Sequence, residues 1–212
     1  DLKFHGCNDN MPMMSTKALI LGGEKLNHTA AYAQGVWNLN EFRRLLSRSA
    51  WASEFNSSTY SAITLSNLAK IASLAKDPLV RKTAEECESR LWAELLLHYH
   101  PGTKLAGGPQ CRAYAIDCAG HTHSVQALFW LVFGPEQSGR DLIASYFQPD
   151  GIEVLHFAGN PMQTVAEFCD MFDTDFHLPE TLAELIEKRS YPALTRGRSE
   201  SMMRYSGCAG EY

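Results

Sequence analysis

Residues 53–62 read SEFNSSTYSA: a carboxylate, an amide, five small hydroxyls and a tyrosine directly before an apolar run. A helix N-terminus needs one capping oxygen, so this surplus must bond elsewhere or face a ligand. Two other polar stretches also stand before apolar runs, HGCNDNMP (5–12) and GPQCRAYAID (108–117). Together the three supply Asn8, Asp9 and Asn10, then Glu54, Asn56 and Tyr60, then Arg112, Tyr114 and Asp117. Tyr114, Asp117 and His121 are spaced three and four apart and share one helix face. His98 and His100 close the preceding helical pattern.

Asparagine, arginine, tyrosine and histidine without a metal or nucleophile motif suit β-elimination on a uronic acid. An amide or guanidinium neutralises the sugar carboxylate and so acidifies the C5 proton. A tyrosine or histidine then moves protons to and from the sugar. Each residue also has a structural role open to it. Asn56 and the serines suit an N-cap, Tyr60 and Tyr114 suit buried hydrogen-bonded core positions, and His98 and His100 suit a helix C-terminus. Arg112 fits a structural role least, because its charge opposes the dipole at a helix start.

The elements that must position these groups read as helices almost throughout residues 13–133. Helices are expected over 12–22, 29–48, 60–75, 79–99 and 113–133, punctuated by Gly22-Gly23, Asp77-Pro78, Pro101-Gly102 and Gly134-Pro135. Those at 13–22, 60–75 and 113–133 carry few charges, while 29–48 and 79–99 have one charged face, the latter opposite a stripe of Val80, Ala84, Cys87, Leu91 and Leu95. A helix apolar all round must be enclosed on all sides. An inner ring of enclosed helices inside an outer amphipathic ring meets that need: part of an α/α-toroid of helical hairpins. Its inner helices start near residues 12, 60 and 113, close to the period of about 45 residues typical of two-helix repeats. All inner N-termini would then lie at one mouth, bringing the three polar loops together. Residues 1–135 form this helical region. Residues 136–212 read as a mixed segment, with a strand at 151–159, helices at 162–172 and 180–189, and a strand-like end leading toward a possible β domain.

This layout of hairpins and residue types resembles the α/α-toroid polysaccharide lyases, heparinase II/III-like or alginate-lyase-like. The resemblance implies Asn56 as carboxylate neutraliser, Tyr114 or Tyr60 as catalytic tyrosine, His121 or His100 as catalytic histidine and Arg112 as substrate clamp. Asn8, Asn10, Glu54 and Asp117 would bind substrate. It further implies an acidic polysaccharide or oligosaccharide as partner, no cofactor, and a secreted or periplasmic setting. A glycoside hydrolase on the same toroid, using two of Glu54, Asp9 and Asp117, is the main alternative. Toroid terpene-modifying chemistry, in which Cys111 and Cys118 would matter, and a non-catalytic helical scaffold also stay open.

Composition narrows the classes. At 212 residues and 45% hydrophobic the chain can bury a sizeable core, which excludes disorder. A net charge of −5 with dispersed basic residues argues against nucleic acid as the main partner. No eighteen-residue apolar run exists, so no membrane-spanning helix is expected. Six cysteines lack C-x-x-C spacing, so no zinc ribbon is expected and buried or free thiols are. Two sequons, Asn27-His-Thr and Asn56-Ser-Ser, would matter only in a eukaryotic secreted protein. The start at Asp1, without methionine or signal-like stretch, reads as a processed product or a fragment.

Overall fold

In a computed structural model, residues 8–112, 124–138 and 169–188 are described, together with a short strand pair at 196–197 and 210–211. The chain is mainly helical. Four long helices come first: α1 (Asn10–Lys25), α2 (Thr29–Ser49), α3 (Tyr60–Leu74) and α4 (Pro78–His98). A two-residue antiparallel hairpin follows, β1 (Tyr99–His100) with β2 (Leu105–Ala106). Then come α5 (Ser124–Phe133), α6 (Pro135–Ser138), α7 (Glu180–Ala183) and α8 (Leu185–Lys188). Strands β3 (Arg196–Gly197) and β4 (Gly210–Glu211) pair antiparallel.

Local chemistry sets the turns. Asn27 adopts a left-handed conformation (φ 53°) just beyond α1, a conformation asparagine tolerates well. The His28 ring accepts a hydrogen bond from the Ala31 N–H and caps α2. Asp77 Oδ1 accepts from the Leu79 N–H at 2.8 Å, with Pro78 at the first helical position of α4. The short turns fold each pair into a hairpin. In the first, a Cβ on Gly23 would lie 2.7 Å from Tyr32 N, and one on Gly35 would lie 2.7 Å from Ile20 Cγ1. These two glycines let the α1 and α2 backbones approach closely.

The hairpins stack in two layers. Glu54, just before α3, meets Asp9 and Asn10 at the start of α1, and Glu24 near the end of α1 accepts from Lys76 N beyond α3. α1 and α3 therefore run parallel. Tyr32 meets Asp77, Arg43 meets Glu86, and Ala50 O accepts from Arg90, so α2 and α4 also run parallel. α5 packs next to α3. α3 is enclosed, with Ala62, Leu65, Leu68 and Ile71 fully buried.

Three expectations change. α1 is not enclosed: Met11 and Met14 are 47% and 43% exposed, and among the described residues α2 and α3 are its main neighbours. α4 keeps Glu85 and Glu86 on a solvated face but not Glu88 and Glu94, which are buried. The helix expected over 180–189 is two short turns, α7 and α8, whose Leu182, Leu185 and Ile186 pack on the main core. Residues 113–123 of the expected fifth helix and the expected strand at 151–159 lie outside the described residues.

Candidate functional site

The segment 53–62 is almost wholly buried, and most of its polar groups bond to backbone. Ser57 Oγ accepts from the Tyr60 N–H at 3.1 Å, and Ser61 Oγ accepts from the Ser57 N–H at 3.0 Å. Glu54 reaches farther. Its Oε2 accepts from the N–H groups of Asp9 and Asn10, both at 2.8 Å, and so satisfies donors at the start of α1 from 45 and 44 residues away. The Glu54 N–H donates in return to Asp9 Oδ2 at 2.8 Å. Glu54 Oε1 accepts from Arg112 Nη1 at 2.7 Å.

Arg112 comes from the third loop. Its Cζ lies 4.1 Å from the centre of the Tyr60 ring, a cation–π stack. Its backbone is left-handed (φ 53°), an uncommon conformation for arginine. The side chain is 33% exposed, although Glu54 beneath it is buried. Two backbone bonds tie the loops further, Cys111 N–H to Phe55 O and Val125 N–H to Ser58 O, each 3.0 Å. The three polar stretches thus meet at one end of the helical layers.

Glu94 from α4 supports the same loop from the other side, accepting from the N–H groups of Ala52 and Asn56 at 2.9 and 2.8 Å. Burial pushes its carboxyl up to about 7, against the pull of those two N–H donors. Asp9 is also raised to about 7, first by burial and further by the neighbouring charge of Glu54, while the Glu54 and Ser53 N–H groups pull it down.

Asn56 is oriented against the role of carboxylate neutraliser. Its Nδ2 donates to the carbonyls of Gly107 at 2.9 Å and Pro109 at 3.1 Å, so both amide hydrogens are engaged. Among the described residues, the buried atoms at this end without a partner include the acceptors Oδ1 of Asn8, Asp9, Asn10 and Asn56 and the Ser58 hydroxyl. His100 sits in the β1–β2 hairpin, its Nδ1 accepting from the Thr103 N–H at 3.2 Å. Tyr114, Asp117, Cys118 and His121 lie outside the described residues. Among the described residues no group of three or more His, Cys, Asp or Glu side chains is placed to hold a metal ion, and Cys87, Cys111 and Cys169 form no disulfide.

Sequence reasoning missed Glu94. The signal was present, because Glu94 follows Leu91 by three residues and lies along the apolar stripe rather than opposite it. No helix among the described residues is long and apolar enough to cross a membrane. Neither a curated protein nor a solved structure matches the chain. One family model does, over residues 4–152, a span that includes Asp9, Glu54, Glu94 and Arg112. The chain belongs to the family described as a domain of unknown function, DUF8769.

Proposed function

We propose that the chain is a carbohydrate-active enzyme built on α/α-toroid hairpins, acting by β-elimination on a uronic-acid-containing polysaccharide. The observation that carries this reading is the partly exposed Arg112 guanidinium, stacked on Tyr60 and fixed from below by buried Glu54. A rigid cation beside a phenol is the pair that the reaction needs. Arg112 takes over the role first expected of Asn56 and neutralises the substrate carboxylate. A base removes the C5 hydrogen as a proton, and its electron pair forms the C4–C5 double bond. The C4–O bond breaks, and the departing oxygen takes a proton from a tyrosine, Tyr60 or Tyr114. The parallel courses of α1 with α3 and of α2 with α4, and the enclosure of α3, support stacked hairpins of the toroid kind. The setting is secreted or periplasmic, where such polymers occur.

A hydrolase is the second reading, favoured by Asp9. A carboxyl raised to about 7 is suited to general acid work, and Glu54 stands beside it in an ion pair with Arg112.

Incubation with uronate-containing polymers separates the readings. A lyase yields an unsaturated uronate that absorbs in the ultraviolet; a hydrolase releases reducing ends without that absorbance. Removing the tyrosine hydroxyl with Tyr60→Phe or Tyr114→Phe should lower a lyase rate about 10²–10⁴-fold, and Arg112→Ala should abolish turnover. Absence of any product from a panel of acidic polymers sinks both enzymatic readings and leaves the non-catalytic scaffold.

A further inference from the structure

The two sequons, Asn27-His28-Thr29 and Asn56-Ser57-Ser58, occupy opposite environments. Asn56 is buried in the loop cluster with both amide hydrogens engaged. A glycan on its Nδ2 would remove one of those hydrogens and force a sugar between the loop and the Gly107 and Pro109 carbonyls. Asn27 stands at the other end of the layers, in the three-residue turn between α1 and α2, where residues 25–30 are all exposed. Its left-handed backbone is held independently of its side chain. The His28 N–H donates to Gly23 O at 2.8 Å and the His28 ring caps α2. No hydrogen bond engages the Asn27 amide or the Thr29 hydroxyl among the described residues. Both line an open groove with Tyr32, Lys76 and Asp77, which leaves space for a first sugar beside the turn.

We propose that Asn27, and not Asn56, carries an N-linked glycan in this protein. The donor is a lipid-diphosphate-linked oligosaccharide. Asn27 Nδ2 forms a bond to the anomeric carbon and loses one proton to the transferase. The bond from that carbon to the phosphate oxygen breaks, and the lipid diphosphate leaves with the electron pair. The glycan projects from the end of the bundle remote from Arg112 and leaves the candidate site open. The inference rests on the secreted arm of the proposed function, with export from a eukaryotic cell, but its readout is independent of turnover.

The test is expression of the full chain behind a signal peptide in yeast, with cells and medium analysed together by intact mass before and after treatment with a peptide N-glycosidase. The expected wild-type result is a mass loss corresponding to one glycan. Thr29→Ala, which removes the sequon and keeps the turn, should abolish it. Ser58→Ala, which removes the second sequon and keeps the Asn56 amide in place, should retain it. An unglycosylated wild-type chain, or a glycan that survives Thr29→Ala and is lost in Ser58→Ala, overturns the proposal. If the glycan is present and no acidic polymer is turned over, the modification stands and only the enzymatic reading falls.

Discussion

Glu54 joins three segments distant in sequence, and its neighbours are chosen so that no charge is left alone. Its carboxylate faces two backbone donors and a guanidinium, all within 2.8 Å. Replacing it with alanine strands the α1 donors and removes the ion partner of Arg112. Arg112 is one-third exposed and stays hydrated, so the main cost is that of the stranded buried donors, about 1–3 kcal/mol for each group left unpaired, which chemical denaturation will measure. A loss below about 1 kcal/mol would show that the loops are held by packing alone. The acid–base behaviour of Asp9 and Glu94 gives a second expectation. Both carboxyls titrate near 7 in the folded chain, above the ordinary value near 4 of the unfolded chain. The folded state then holds more protons than the unfolded state between about pH 4 and 7. Their contribution to stability is fully present below about pH 4 and is lost as pH rises through 7. The melting temperature should be lower at pH 8 than at pH 5, and Asp9→Asn and Glu94→Gln should each flatten that slope. A melting temperature that rises across the same window contradicts the assigned environments. The residue types at the candidate site were legible because polar loops before apolar helices are conspicuous. The orientation of Asn56 was not, since which carbonyls an amide meets depends on chain 51 residues away.

Helix boundaries were legible for the same reason that they form: proline, glycine and capping side chains act locally. α2, α3 and α4 begin and end within a residue or so of the sequence reading. Degree of enclosure was less legible. α1 has the same low charge as α3, yet it lies at the side of the stack and keeps Met11 and Met14 exposed. Composition identifies a helix that can be enclosed, but its neighbours decide whether it is. The α1–α2 pair allows a controlled test. A Cβ on Gly35 would meet Ile20 N at 2.9 Å, and backbone cannot move aside as a side chain can. Gly35→Ala should destabilise by about 1–3 kcal/mol through overpacking, despite the higher helix propensity of alanine. Gly22, in α1, has nothing within 4 Å of its hypothetical Cβ. Gly22→Ala should stabilise by up to about 1 kcal/mol. Equal effects of the two substitutions would mean that the close approach does not govern the packing of this hairpin.

At the scale of the molecule, residues 169–188 lie across the α3–α4 hairpin and join its core instead of standing apart from it. Met171 and Ile186 are buried there, and Phe176 meets the edge of Trp92 with ring centres 5.8 Å apart. Lys70 pairs with Asp170. The tightest attachment is Glu88, fully buried on α4, which accepts from the His177 N–H at 2.6 Å and bonds the His177 ring at 2.9 Å, with Trp92 Nε1 at 3.3 Å. Burial raises the Glu88 carboxyl, and the His177 contacts pull it back down. His177→Ala removes the ring but keeps the backbone donor, so Glu88 stays buried with one partner fewer. Leaving a buried acceptor short of a partner costs about 1–3 kcal/mol. Because the side chain and backbone that bond Glu88 come from His177 and from Trp92 of α4 itself, the loss should be local. Hydrogen exchange should speed up across residues 169–188 and at the facing turns of α4, while amides of the α1–α2 hairpin keep their protection. Glu88→Gln provides the control: it retains an oxygen for the backbone N–H and removes the buried charge, and it should disturb the segment less than His177→Ala. Unchanged exchange over 169–188 in His177→Ala would mean that Phe176, Met171 and Ile186 hold the segment without the imidazole. Uniformly faster exchange throughout the bundle would instead make this segment part of one cooperative unit with the hairpins.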